Sequence, residues 1–143
     1  MPHTLRTHRI VAALLSVLIA SRVLLMIIFP HTDTSEARYA EISRKMVETG
    51  DWITPQFAYG IPFWAKPPLS MWMSALGMKL FGVNEFGSRI LIFLAAMGLL
   101  WLVARAVRRE KDATSGLIAA PLLMGMPLFF YCSAAVMTDL ALA

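Results

Sequence analysis

Apolar positions along the chain gather into three long runs, separated by one mixed stretch from 30 to 84. Residues 10–29 are apolar except for Ser16, Ser21 and Arg22. At ~1.5 Å per residue a helix over this run reaches ~30 Å, the thickness of one hydrocarbon core. A second run occupies 85–107, with its apolar core at Ile90–Val103 and Arg89 near its start. A third covers 113–136, where Pro121 and Pro127 are expected to kink one continuous span. Neighbouring helices can satisfy the carbonyls that such kinks release. A cleaved signal peptide is the rival reading of the first run. Signal cores are ~7–15 residues, and no A-x-A site follows promptly, so a span is the better reading.

The mixed stretch has its own periodicity. From Glu36 to Thr49 apolar residues recur at Tyr39, Ile42, Met46 and at Ala40, Val47, which predicts a helix. Glu41 and Lys45 form a favourable i,i+4 pair on it, and Gly50 should end it. A second helix is predicted from Pro68 to Phe81, opened by Pro67-Pro68 and closed near Gly82. It is short for a span and suits the interface. Eight of the 15 aromatic residues lie in this stretch, and Trp and Tyr favour the membrane–water boundary.

Composition turns the pattern into a class. Hydrophobic residues make up 58% of 143 and charged residues 15%, against ~25% charged in soluble domains. A chain of this size has too little interior to hide that much apolar surface. A soluble enzyme and a disordered protein are both excluded, and lipid is the expected solvent. The net charge of +4 comes largely from Arg6 and Arg9 before the first run and from Arg105, Arg108, Arg109 and Lys111 between the second and third. That distribution places both clusters on the cytoplasmic side, in an inner, multi-pass membrane protein with a cytoplasmic amino terminus. The loop 30–84 then faces outward, periplasmic or extracellular, and the third span brings Asp139 to the same face. No basic face interleaved with exposed aromatics appears, so nucleic acid is not an expected partner. Cys132 is the only cysteine, so no internal disulfide can form.

Several groups in or beside the loop can carry chemistry. Asp33, with Glu36 three residues later, has the spacing of a helix cap worth ~1 kcal/mol. The same carboxylates can serve as a general base at the membrane surface. Lys66 either snorkels to headgroups from an aromatic-rich turn or binds a phosphate beside a helix start. Asp139 either marks where lipid stops or belongs to the site. Glu85 and Arg89 are spaced to pair with one another. Arg22, inside the first run, should face other helices or water. His31, Asp33 and Glu36 supply imidazole and oxygen donors, a poor basis for a metal site at this spacing, and no cofactor is expected. The methionines suit packing.

The stretch from Asp33 to Met46 (DTSEARYAEISRKM), with Gly50–Pro55, Pro62–Leu69 (PFWAKPPL) and Phe81–Arg89 (FGVNEFGSR), resembles the amino-terminal part of bacterial GT-C glycosyltransferases. These are the relatives of dolichyl-phosphate-mannose protein mannosyltransferase and of the aminoarabinose transferase that modifies lipid A. The resemblance covers nearly the whole chain. It implies an all-α integral membrane protein with GT-C-like transmembrane helices and a large outward loop containing interfacial helices. Residues 1–143 would be the amino-terminal part of that transmembrane domain. It implies transfer of a sugar from a polyprenyl-phosphate carrier to a lipid, glycan or protein acceptor on the outer face. Asp33 or Glu36 would then be the catalytic acid, Lys66 would hold the carrier phosphate, Arg38 and Tyr39 match the family's R-Y pair, and Asp139 matches an acid near the outer end of the third span. Relatives usually have Asp directly before the Glu, where Ser35 stands, which shifts the role toward Asp33. Some carry an acid before the K-P lysine, where Ala65 stands. The chain is expected to be a fragment and inactive alone. The competing classes are a small accessory or lipid-binding membrane subunit and a portion of a transporter.

Overall fold

The computed structural model describes residues 2–31 and 33–137. Six helices and one short hairpin follow in order: α1 (Pro2–Ile28), α2 (Thr34–Thr49), β1 (Gln56–Ala58), β2 (Ile61–Pro62), α3 (Leu69–Phe81), α4 (Glu85–Glu110), α5 (Ala113–Met124) and α6 (Pro127–Cys132). Helices α1 and α4 are long and apolar enough to cross a membrane.

Both faces of α1 are apolar, the signature of a helix that lies in lipid or in a large core. Leu15, Leu18, Ile19, Val23 and Met26 recur at three- and four-residue steps and pack against Phe93 and Leu100 of α4 and Ala120 and Met124 of α5. The opposite stripe, Ile10, Leu14, Val17 and Leu24, stays exposed. Arg22 is buried as the sequence anticipates. Its Nη2 donates to the Tyr131 carbonyl at 2.5 Å and its guanidinium lies 5.5 Å from the Phe130 ring centre.

The third apolar run departs from one kinked span. Helix α5 ends at Met124, and α6 restarts at Pro127. Met126 is extended (ψ 124°), because the residue before a proline is pushed out of the helical region. Pro127 then opens α6, where its missing N–H costs nothing. The 12 residues of α5 rise only ~18 Å, short of a hydrocarbon core.

The outward-predicted stretch folds onto α4. Helix α2 buries Tyr39, Ala40, Ile42 and Met46 against Met71, Ala75 and Met78 of α3 and Ile92 of α4. It ends at Gly50, whose φ of +71° closes the cap with an N–H to the Met46 carbonyl. Helices α3 and α4 form a tight antiparallel hairpin in which glycine sets the spacing. A Cβ on Gly77 would lie 2.2 Å from the Gly87 carbonyl oxygen. The two-strand hairpin at 56–62 was not visible in the hydrophobic pattern. It turns at Tyr59-Gly60 and is too short for an alternation to register. Lys45 fastens it to α2 by donating to the Phe57 carbonyl at 2.8 Å.

Candidate active site

The head of α2 faces the first turn of α4, and the end of α1 lies between them. Glu36 and Arg89, 53 residues apart, form a buried bidentate pair. Nε donates to Oε1 at 2.8 Å and Nη2 to Oε2 at 3.0 Å. The rest of the guanidinium closes the carboxyl end of α1. Nη1 donates to the carbonyls of Met26 (3.2 Å) and Phe29 (2.6 Å), and Nη2 to that of Pro30 (3.3 Å). Every N–H of the guanidinium therefore has an acceptor. The last carbonyls of a helix have no intrahelical partner and carry partial negative charge, so a cation there is doubly favoured. The Val136 N–H adds a third bond to Glu36, at 3.2 Å to Oε1. One carboxylate thus ties α2, α4 and the chain beyond α6 together. Ile92 and Phe93, the next turn of α4, enter two different apolar clusters, so the ion pair stands where those clusters meet.

The expected partnership of Glu85 with Arg89 does not form; Arg89 turns inward to Glu36 instead. The capping box is half realised. Asp33 caps α2, its Oδ1 accepting the Ser35 N–H at 2.9 Å, while Glu36 is committed to Arg89 rather than reaching back to the cap. Asp33 keeps partial exposure, and Glu36 is 2% exposed. The two acids at the head of α2 therefore differ in availability. Both oxygens of Glu36 are taken up by Arg89, whereas Asp33 is reachable.

His31, between α1 and α2, lies 2.9 Å from the Ser88 hydroxyl through Nε2. Burial first, and the nearby Arg89 charge second, hold its pKa below the ordinary imidazole value. The ring is neutral at pH 7. His31, Asp33 and Glu36 are thus each committed to a different partner. Among the described residues no group of three or more His, Cys, Asp or Glu side chains is placed to hold a metal ion. A cavity of about 230 Å³ opens beside the pair, lined by Arg22, Glu36, Arg89, Phe130 and Tyr131 among others.

The basic and aromatic candidates are distributed around this seam. Arg38 is exposed, its guanidinium 6.0 Å from the centre of the Phe57 ring. Tyr39 is buried against Phe63, ring centres 6.2 Å apart. That contact holds the segment leading to Lys66 against α2. Lys66 itself is exposed, three residues ahead of α3, and makes no ion pair with Asp33, Glu36 or any other described residue. Asp139 lies outside the described residues.

Arg89 is the residue of this seam whose partner the spacing along the chain misjudged. The signal available was its position within an apolar run, where an arginine without a partner is costly. Nothing local pointed to an acid 53 residues earlier.

The chain is similar to known proteins in sequence and in fold. The sequence pattern of the family described as dolichyl-phosphate-mannose-protein mannosyltransferase matches residues 10–143. The undecaprenyl phosphate-alpha-4-amino-4-deoxy-L-arabinose arabinosyl transferase 2 of Sodalis glossinidius is 42% identical over 89 residues, covering 59% of this chain and 16% of its own length. The protein of the same name from Pseudomonas fluorescens is 40% identical over 95 residues, 65% of this chain and 16% of its own length. The crystal structure of ArnT from Cupriavidus metallidurans in the apo state superposes with a TM-score of 0.73 at 26% identity, over 92% of this chain and 24% of that one. The chain spans about a sixth of the length of these curated relatives. A mostly helical membrane architecture, a matching family pattern and a superposable solved structure converge: the chain belongs to the dolichyl-phosphate-mannose-protein mannosyltransferase family.

Proposed function

We propose that this chain is the amino-terminal part of a membrane glycosyltransferase that moves a sugar from a polyprenyl-phosphate carrier to an acceptor at the outer membrane face. The names of its relatives make an undecaprenyl-phosphate aminoarabinose the leading donor. The observation that carries the reading is the division between the two acids at the head of α2. Glu36 is consumed by Arg89, which leaves Asp33 as the carboxylate able to meet an acceptor.

In the reaction the bond between the sugar's anomeric carbon and the carrier phosphate breaks, and the acceptor oxygen takes that carbon. The leaving group is the polyprenyl phosphate, on whose oxygens negative charge grows. Lys66, exposed and unpaired among the described residues, is assigned to that phosphate, with Arg38 as a second cation on the same outer stretch. Fixed cations matter most at such a point because little water competes for the charge. If the acceptor is a hydroxyl, its proton passes to Asp33, a contribution of ~10²–10⁴-fold. If the acceptor is a phosphate, it is already nucleophilic, and Asp33 only orients it. Asp139 is assigned to acceptor binding, and Tyr39 to holding the Lys66 segment in place.

The test uses the complete protein and its Asp33→Asn variant, because Asn caps a helix about as well as Asp and leaves α2 intact. Transfer to a hydroxyl acceptor should fall ~10²–10⁴-fold, with a much smaller loss for a phosphate acceptor. Equal losses with both acceptors, or none with either, would overturn the assignment of Asp33. A Lys66→Gln variant should weaken use of the carrier whatever the acceptor.

A further inference from the structure

The end of the molecule away from Glu36 holds a second charged feature that sugar transfer does not use. A groove of about 620 Å³ lies between the last turns of α4 and the first of α5, lined by Trp101, Arg105, Arg108 and Arg109 on one wall and Ala113, Gly116 and Leu117 on the other. At 100° per residue, Leu94, Trp101, Arg105, Arg108 and Arg109 fall on one face of α4. The Arg105 guanidinium is held 5.4 Å from the centre of the Trp101 ring. Helix α5 approaches closely enough to close the groove because position 116 is glycine. A Cβ there would lie 2.7 Å from both the Ala104 carbonyl oxygen and the Arg108 Cβ.

None of these three arginines has a carboxylate partner among the described residues. The acids at this end are Glu110, which is exposed, and Asp112, whose Oδ1 accepts the Ser115 N–H at 2.7 Å and caps α5. The start of α1 reaches the same end, with His8 3.3 Å from the Thr114 hydroxyl, and brings Arg6 and Arg9. The groove is therefore cationic at its mouth and apolar below. Trp101, 60% exposed, and Leu94, 53% exposed, continue down α4 from it. That gradient fits an amphiphile with an anionic head and apolar tails. A nucleic acid would leave the apolar half unused.

We propose that this groove binds the phosphate of an anionic phospholipid, with Arg105 and Arg108 on the headgroup and the acyl chains lying along Trp101 and Leu94. The inference rests on α1 and α4 crossing the bilayer, and not on sugar transfer. Guanidinium forks match phosphate oxygens and give the stronger, charge-assisted class of hydrogen bond.

The complete protein is reconstituted in phosphatidylcholine nanodiscs containing phosphatidylglycerol with brominated chains, which quench nearby tryptophan. The Trp101 signal is taken as the difference from a Trp101→Phe variant. Brominated phosphatidylglycerol should quench it at about tenfold lower mole fraction than brominated phosphatidylcholine, since tenfold is ~1.4 kcal/mol and two basic residues near an anionic surface suffice for that. Combined Arg105→Gln and Arg108→Gln should abolish the preference. Ala113→Phe, which fills the groove with every charge in place, should do the same. Arg6→Gln with Arg9→Gln, at the same end but outside the groove, should leave it intact. Equal quenching by the two lipids, a preference that survives Ala113→Phe, or one lost with Arg6 and Arg9 would overturn the proposal. Carbonate extraction separates the two readings. A chain released from the membrane defeats the spanning assignment itself, whereas one that is retained but indifferent to headgroup charge defeats only the groove.

Discussion

Glu36 and Glu41 sit five residues apart on α2 and both pair with arginine, yet they belong to different physical regimes. The Glu36 side chain is 3% exposed and Arg89 5%; Glu41 is 44% exposed and its partner Arg44 32%. In the seam each charge has lost most of its water, and the lost solvation is replaced by the three bonds that Glu36 accepts and the three carbonyls at and just past the end of α1 that take the remaining guanidinium protons. On the exposed side of α2 Arg44 is shared between Glu41 and Glu48, and Lys45 also reaches Glu41 at 3.3 Å. Water can replace any of these partners. The seam is therefore costly to break from one side, and the outer network yields gradually.

The largest effect should come from Arg89→Met. It strands Glu36 in a buried site and leaves the carbonyls of Met26, Phe29 and Pro30 without donors, at a cost of ~3–5 kcal/mol. Against a typical total of ~5–15 kcal/mol that is a large fraction, so folded yield and thermal midpoint in detergent should both drop. Adding Glu36→Gln removes the stranded charge and should recover part of the loss, but not the part due to the three carbonyls. A single variant as stable as the parent would show that the seam is not what holds α1, α2 and α4 in register.

A steric variant sharpens the same point without touching a charge. Gly87 lies two residues before Arg89, and Gly77 of α3 presses against its carbonyl. Gly77→Ala should cost ~1–3 kcal/mol by overpacking. Because it moves the first turn of α4, it should also loosen the protection of Arg89 in hydrogen exchange. Destabilisation with the seam's protection unchanged would separate the α3–α4 contact from the ion pair.

Much of this contrast was hidden in the sequence, for a physical reason. Periodicity and capping are local, so they gave the apolar runs that became α1 and α4, the helix ending at Gly50, and α3 to within a residue. Asp33 as the cap of α2 was legible for the same reason. The Glu36–Arg89 pair was not, because a buried charge takes whatever partner the tertiary fold supplies, and Glu85, four residues before Arg89, was the acid that spacing along the chain offered. The break at Met126 was half legible. Pro127 announced a disturbance, while the extended residue before it turned an expected kink into two helices. Lys45 was read only as an i,i+4 partner of Glu41; the pair exists, and the ammonium also donates to the Phe57 carbonyl of the hairpin.

His31 offers a pH test at the edge of the seam. Its pKa in the folded chain lies below the ordinary value near 6.5, so the folded state favours the neutral ring. The unfolded chain then takes up the proton first as pH falls. The stabilisation is complete above ~6.5 and is lost as pH drops below it, with a slope of at most ~1.4 kcal/mol per pH unit. Thermal midpoints between pH 7.5 and 5 should fall for the parent chain and stay flatter for His31→Gln. A parent midpoint that rises on acidification would mean that the ring gains an acid partner, contrary to its contact with Ser88.

The smallest effect should be at the outer network, and it tests the comparison most directly. Hydrogen bonds from Arg44 first, helped by Lys45, hold the Glu41 carboxyl down at about 2. Its folded pKa is below the unfolded value, so its contribution is complete above ~4.5 and fades only as pH falls toward 2. The size of that contribution is limited by exposure. A double-mutant cycle on Glu41→Gln and Arg44→Gln should give a coupling of ~0.2–1 kcal/mol at low salt, shrinking as salt is added. The matching cycle on Glu36→Gln and Arg89→Met should give a coupling several-fold larger and much less sensitive to salt, because both side chains are almost wholly out of bulk water and buried pairs are screened less. Each single change there leaves a buried group unpartnered, and the second change relieves that penalty. Equal couplings at the two sites would mean that water reaches Glu36 as readily as Glu41. Glu36 would then be available to a substrate, and the assignment of the acceptor-facing role to Asp33 would lose its physical basis.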